Sequence, residues 1–91
     1  MSDFNIVGVI KVMPTSPEVD LDKLEENIKK AIPEKYGFVK IEREPIAFGL
    51  VALKVYVLAK DEEGYSLDEV ADAFRKVEDV ESAEVESVSR I

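Results

Sequence analysis

Ninety-one residues carrying 20 acids, 12 bases and neither histidine nor cysteine give a formal charge of -8 at pH 7. The length fits a single domain, 1–91, and an apolar fraction of 46% supports a core, which excludes a disordered acidic tail. Without cysteine there is no disulfide, thiolate metal site or thiol nucleophile, and without histidine the commonest general base and metal ligand is missing.

The chain opens Met1-Ser2-Asp3, acidic and leading directly into a strand pattern, so no signal peptide is expected. No apolar run reaches the ~18–20 residues that cross a bilayer, and a soluble cytoplasmic protein without membrane contact is expected. Residues 4–13 are rich in β-branched side chains and stop at Pro14, which predicts a strand. Both parities of its first half are apolar, as in a central strand covered on two faces. Thr15-Ser16-Pro17 is a connector. From Asp20, apolar residues recur at Leu21, Leu24, Ile28, Ala31 and Ile32, the spacing of one helical face. Asp20 is the expected N-cap, Pro33 the stop, and Glu25 with Lys29 an i, i+4 ion pair.

A second extended run passes from Tyr36-Gly37 through Arg43, and a third, the most apolar, covers 50–59. The segment between them, Glu44-Pro45-Ile46-Ala47-Phe48-Gly49, is too short for a crossover, so the two runs form an antiparallel hairpin. Asp61-Glu62-Glu63-Gly64 is a loop. Ser66 and Glu69 have capping-box spacing, and Leu67, Val70, Ala71, Phe74 and Val77 line the next helical face. Val80 to Ile91 alternates as a strand, with Ala83, Val85 and Ile91 on one parity. The order β-α-β-β-α-β predicts an α+β, ferredoxin-like split βαβ sandwich: a four-stranded antiparallel sheet with both helices on one face. Leu21-Asp22-Lys23-Leu24 and Leu67-Asp68-Glu69-Val70 lie 46 residues apart and fit two βαβ halves.

Charge is uneven along this order. Residues 1–60 are neutral, and residues 61–91 supply the whole -8. That balance repels nucleic acid, whose binding rests on phosphate neutralisation. It suits a solvated face, or steering toward a basic partner. The serines and Thr15 have no histidine to activate them and no G-x-S-x-G elbow. Asp61-Glu62-Glu63 lacks the alternating ligand pattern of a calcium loop and would hold a divalent cation only weakly. No cofactor, metal site or catalytic residue is expected.

Two features remain. Phe48 is a large aromatic between Ala47 and Gly49, at a turn where polar residues are usual. It either folds back onto the sheet edge or stands out as an anchor for another protein, whose backbone the small neighbours would admit. Arg90 is the only base after Lys76 and sits next to the chain end. It is either a charge-balancing surface residue or a functional cation. The low glutamine and tryptophan content, with 35% charged residues, points toward a thermophilic source.

The segment E-P-I-A-F-G-L-V-A-L-K-V at 44–55, M-P at 13–14, D-L-D-K-L-E-E at 20–26 and the ending V-E-S-V-S-R-I together resemble the elongation factor 1-beta family, in its archaeal form. The resemblance covers essentially the whole chain. It implies a guanine-nucleotide exchange factor for the GTPase elongation factor 1-alpha, working without hydrolytic or covalent chemistry. It further implies partner contact through the turn, Pro45, Ile46, Ala47, Phe48 and Gly49, with the aromatic against the GTPase's nucleotide-binding domain. Eukaryotic members carry a lysine next to the C-terminus that reaches the magnesium and phosphate region, and Arg90 stands in that position, on a shorter last segment. Competing classes are a small-molecule-sensing regulatory domain of the same fold, against which the lack of a Gly-rich or polar turn after the first strand counts, and an RNA-binding module, which the charge disfavours.

Overall fold

The computed structural model describes residues 3–91, so Met1 and Ser2, part of the acidic start read above, lie outside it. Strand β1 (Ile6–Pro14), helix α1 (Leu21–Ala31), strands β2 (Gly37–Pro45) and β3 (Val51–Ala59), helix α2 (Leu67–Arg75) and strand β4 (Val80–Arg90) follow in the predicted order. The strands form one antiparallel sheet, β2-β3-β1-β4, the ferredoxin-like arrangement. Both helices begin at the leucine that opens the repeated motif, Leu21 and Leu67.

The core lies between sheet and helices. Ile10, Val12, Leu53, Val55 and Val57 from the central strands meet Leu24 and Ile28 of α1 and Val70, Ala71 and Phe74 of α2, all buried. Gly8 lets α2 approach, because a Cβ there would lie 2.3 Å from Leu67 Cδ1. The opposite face has no helix, yet Val9 and Ala52 are buried on it. The register explains this. Lys11 of β1 reaches Glu44 of β2 at 3.9 Å, passing over β3 beside Ala52. Lys54 of β3 reaches Glu86 of β4 at 3.5 Å, passing over β1 beside Val9. The lysine stems thus roof apolar positions that would otherwise be wet. Lys40 extends the lattice, bonding Glu42 at 2.9 Å and lying 4.8 Å from the centroid of the Tyr56 ring. The Lys40 ammonium, seconded by the Tyr56 hydroxyl, holds the Glu42 carboxyl below its usual range.

Three expectations need correction. Glu25 does not pair with Lys29: Arg43 takes both Glu25, at 2.7 Å, and Asp22, at 2.6 Å. A guanidinium on the facing strand offers two charge-assisted bonds where lysine offers a single point charge. The i, i+4 pair that does form is Glu26 with Lys30. Ile91 does not share a face with Ala83 and Val85, because β4 carries a bulge where Val9 and Ile10 face Ser87 and Val85, stepping over Glu86. The extra residue flips the parity beyond it. Ser66 precedes α2 as expected, but its side chain makes no capping bond, whereas Asp20 caps α1 by accepting from Lys23 N–H at 3.2 Å.

Tyr36 takes over that capping. Its hydroxyl accepts the Ser66 N–H at 2.8 Å and lies 2.8 Å from Glu69 Oε1 and 2.9 Å from the Ser66 carbonyl. One hydroxyl proton serves one acceptor, and the carboxylate is the stronger. Lys35 completes the joint, bonding the Gly64 carbonyl and reaching Glu69 at 3.4 Å. The cluster ties the α1–β2 connection to the start of α2, one half of the chain to the other. Burial raises the Tyr36 hydroxyl's pKa, and the bond from that hydroxyl holds the Glu69 carboxyl low.

Tyr36→Phe removes this joint without changing shape, and a loss of about 1–3 kcal/mol is expected in urea unfolding at neutral pH. A carboxyl depressed in the folded state stabilises above its unfolded pKa and loses that contribution as pH falls through the folded one. The gap between wild type and variant should therefore narrow as pH drops below about 4.

Candidate functional site

The β2–β3 connection starts at Pro45, the last residue of edge strand β2, where a missing N–H is tolerated. Ile46 N–H donates to the Leu50 carbonyl at 2.9 Å and Leu50 N–H to the Ala47 carbonyl at 3.2 Å, closing a single 3-10 turn over Ala47–Gly49. Two residues of that turn are left-handed, Phe48 (φ 61°, ψ 30°) and Gly49 (φ 77°). Glycine adopts this conformation freely, whereas a side-chain-bearing residue is disfavoured by about 1–2 kcal/mol. Among the described residues Asp79 is the other non-glycine at positive φ, and aspartate is a residue that tolerates it. Phenylalanine is not. A Cβ on Gly49 would lie 3.7 Å from Pro17 Cβ, so the β1–α1 connector runs beside the turn.

The strained residue is also exposed. Phe48 is 93% accessible and Ile46 37%, with Ala47 and Gly49 open beside them. Of the two readings of Phe48, the ring folded back on the sheet edge is therefore wrong. Strain and exposure both work against stability and fall on one aromatic. Such outliers gather at functional sites, where an exposed ring serves as an anchor.

Arg90 lies elsewhere. It ends β4 opposite Ile6, while the turn carrying Phe48 lies at the Pro14 end of the sheet. The eight steps from Ile6 to Pro14 at about 3.3 Å each set the two on the order of 26 Å apart along the strands. The structure thus brings Pro45 to Gly49 together and leaves Arg90 as a separate point. Its guanidinium bonds Asp61 through one terminal nitrogen, Nη2. Asp61 N–H donates to Asn5 Oδ1 at 2.8 Å, and the Asn5 carbonyl accepts Ile91 N–H at 3.0 Å.

Asp61 thus pairs with Arg90. Among the described residues no group of three or more acidic side chains converges as metal ligands would. Sequence reasoning missed Asn5 and the Asp61–Arg90 pair. A lone base in an acidic strand requires a carboxylate neighbour, but no spacing singles out Asp61 among the acids of residues 61–91. Among the described residues no helix is long and apolar enough to cross a membrane.

The family model described as EF-1 guanine nucleotide exchange domain matches residues 7–91. The chain is 78% identical to elongation factor 1-beta of Pyrococcus abyssi and 77% identical to that of Thermococcus kodakarensis, over 91 residues and the full length of both chains. Elongation factor 1-beta of Natronomonas pharaonis is 45% identical over 86 residues, 94% of this chain and 97% of that relative. The thermophilic archaeal origin of the first two relatives agrees with the source inferred from composition. With a match that begins inside β1 and runs to the last residue, and relatives alike from end to end, the chain belongs to the EF-1 guanine nucleotide exchange domain family.

Proposed function

We propose that this chain promotes GDP release from the translational GTPase elongation factor 1-alpha so that GTP can rebind during elongation. Residues 1–91 act as one exchange unit in the cytoplasm, on a protein partner and without direct contact with nucleic acid. The observation that carries this reading is Phe48, a left-handed, almost wholly exposed aromatic. Pro45, Ile46, Ala47 and Gly49 shape the surface around it, and Arg90 provides a second contact at the far end of the sheet.

No acid, base or nucleophile is needed. A factor that binds the nucleotide-free GTPase more tightly than the GDP-bound form must weaken GDP binding by the same ratio. Each 1.4 kcal/mol or so of that difference loosens GDP about tenfold. The factor must supply rigidity, so that its binding energy distorts the partner and not itself. Here the hairpin that carries Phe48 continues into β3, whose Leu53, Val55 and Val57 are fully buried. In this reading Phe48 and Arg90, at opposite ends of the sheet, meet different patches of the GTPase. Phe48 provides affinity by burying its ring, and Arg90 provides a charge contact.

Release of labelled GDP from elongation factor 1-alpha should accelerate in the presence of the intact protein, and absence of any acceleration would overturn the reading. Phe48→Ala should slow stimulated release by about tenfold or more, the loss typical of a truncated anchor. Phe48→Asn separates function from stability. Asparagine tolerates the left-handed backbone, so thermal unfolding should show stability equal to wild type or up to about 1 kcal/mol higher, with stimulation lost.

A further inference from the structure

The surroundings of Arg90 form a built support. Asn5 stands at its centre: its N–H donates to the Ala59 carbonyl at 3.1 Å, its carbonyl accepts Ile91 N–H at 3.0 Å, and its side-chain oxygen accepts Asp61 N–H at 2.8 Å. One residue thereby fixes the end of β3, the loop that follows it, and the chain terminus. Asp61, placed by that loop, binds the Arg90 guanidinium on one terminal nitrogen. Arginine has five N–H groups in a rigid planar fork. Held by one edge, it keeps Nε and the other terminal nitrogen without a partner among the described residues, and its side chain is 68% exposed.

A surface ion pair alone is worth little and holds a flexible side chain poorly. This one differs because the main chain that carries the carboxylate is fixed by a bond from Asp61 N–H to Asn5. We propose that Asp61, set by Asn5, is a positioning residue for exchange: it orients Arg90 so that the unpaired side of its fork meets an oxyanion in the GTPase complex. The inference rests on the exchange reading above. A planar pair of N–H donors matches a carboxylate or a phosphate equally, so the oxyanion is either an acidic side chain of the GTPase or the diphosphate of its nucleotide. Preorganisation explains why the support is needed. An arginine on a free chain end would lose side-chain entropy on binding, and Asp61 removes that loss beforehand.

The test measures GDP release at saturating factor, and binding to the nucleotide-free GTPase, for wild type, Arg90→Ala, Asp61→Ala, Asp61→Glu and the Asp61→Ala/Arg90→Ala double variant. Arg90→Ala should slow saturated release by roughly tenfold, the effect of losing one charge-assisted contact. Asp61→Ala should slow it severalfold with Arg90 still present, Asp61→Glu should restore most of the rate, and the double variant should be no slower than Arg90→Ala alone. Weakened binding of the Arg90 and Asp61 variants to the nucleotide-free GTPase supports the proposal with the oxyanion on the protein. Unchanged binding with slowed release supports it with the oxyanion on the nucleotide. Asp61→Ala at wild-type rate, or effects of the two substitutions that multiply, overturns the positioning role. Wild-type release at Arg90→Ala overturns it as well, while stimulation by the intact protein leaves the exchange reading standing. Absence of stimulation by the intact protein overturns both.

Discussion

Strand β1 has a neighbour on each side and is covered on each face. It pairs with β3 from Ile6 to Val12 and with β4 from Ile6 to Pro14. On one face Ile10 and Val12 are fully buried under the helices, and on the other Val9 is closed over by the Lys54–Glu86 pair. Every other element takes its place from this strand. The β2–β3 hairpin hangs on it through β3, which fixes the Phe48 turn at its Pro14 end. The last strand hangs on it directly, which fixes Arg90 at its Ile6 end. The two proposed contacts are therefore set apart along the whole length of β1.

A fold this small has few places to put a residue that opposes stability. The backbone at Phe48 is disfavoured by about 1–2 kcal/mol, against net stabilities of about 5–15 kcal/mol for whole domains. The turn tolerates it because the flanks are fixed: main-chain bonds join Ile46 to Leu50 and Leu50 to Ala47. The ring stands clear of the sheet, 93% exposed. Rigidity there is also what an exchange factor requires, since a yielding anchor would deform in place of the GTPase.

Much of this was legible in the residues. Helical faces at Leu24 and Ile28, and at Val70, Ala71 and Phe74, follow from a spacing that has one structural solution, and the short 44–49 connector allows only a hairpin. Phe48 was legible as an oddity, though its alternatives were separated only by its exposure in the fold. What escaped was whatever depends on a partner distant in sequence. Tyr36 caps a helix 30 residues onward, Arg43 takes acids 18 and 21 residues back, and Arg90 takes an acid 29 residues back. A capping box is a local rule, and at Ser66 a buried tyrosine outcompeted it. The bulge at Glu86 escaped for another reason: an inserted residue leaves no mark in an alternating sequence until the facing strand is known.

The placement of the acids also takes on a physical meaning once β4 is known to be an edge strand. An edge eleven residues long presents unpaired main-chain groups along its free side and invites pairing with another sheet. Glu81, Glu84 and Glu86 make that approach unfavourable over its first half, and the bulge twists the strand at Glu86. The second half, Ser87 to Ile91, carries no acid, and Arg90 is its one charged side chain. Pairing by this half would bury Arg90 together with Asp61, which a partner strand could not compensate. One ion pair can thus discourage wrong contacts and hold the arginine ready for the right one. Part of the excess charge of residues 61–91, carried by Glu81, Glu84 and Glu86, thus protects a long edge in a small fold, and the single cation of β4 lies where that protection leaves room for function.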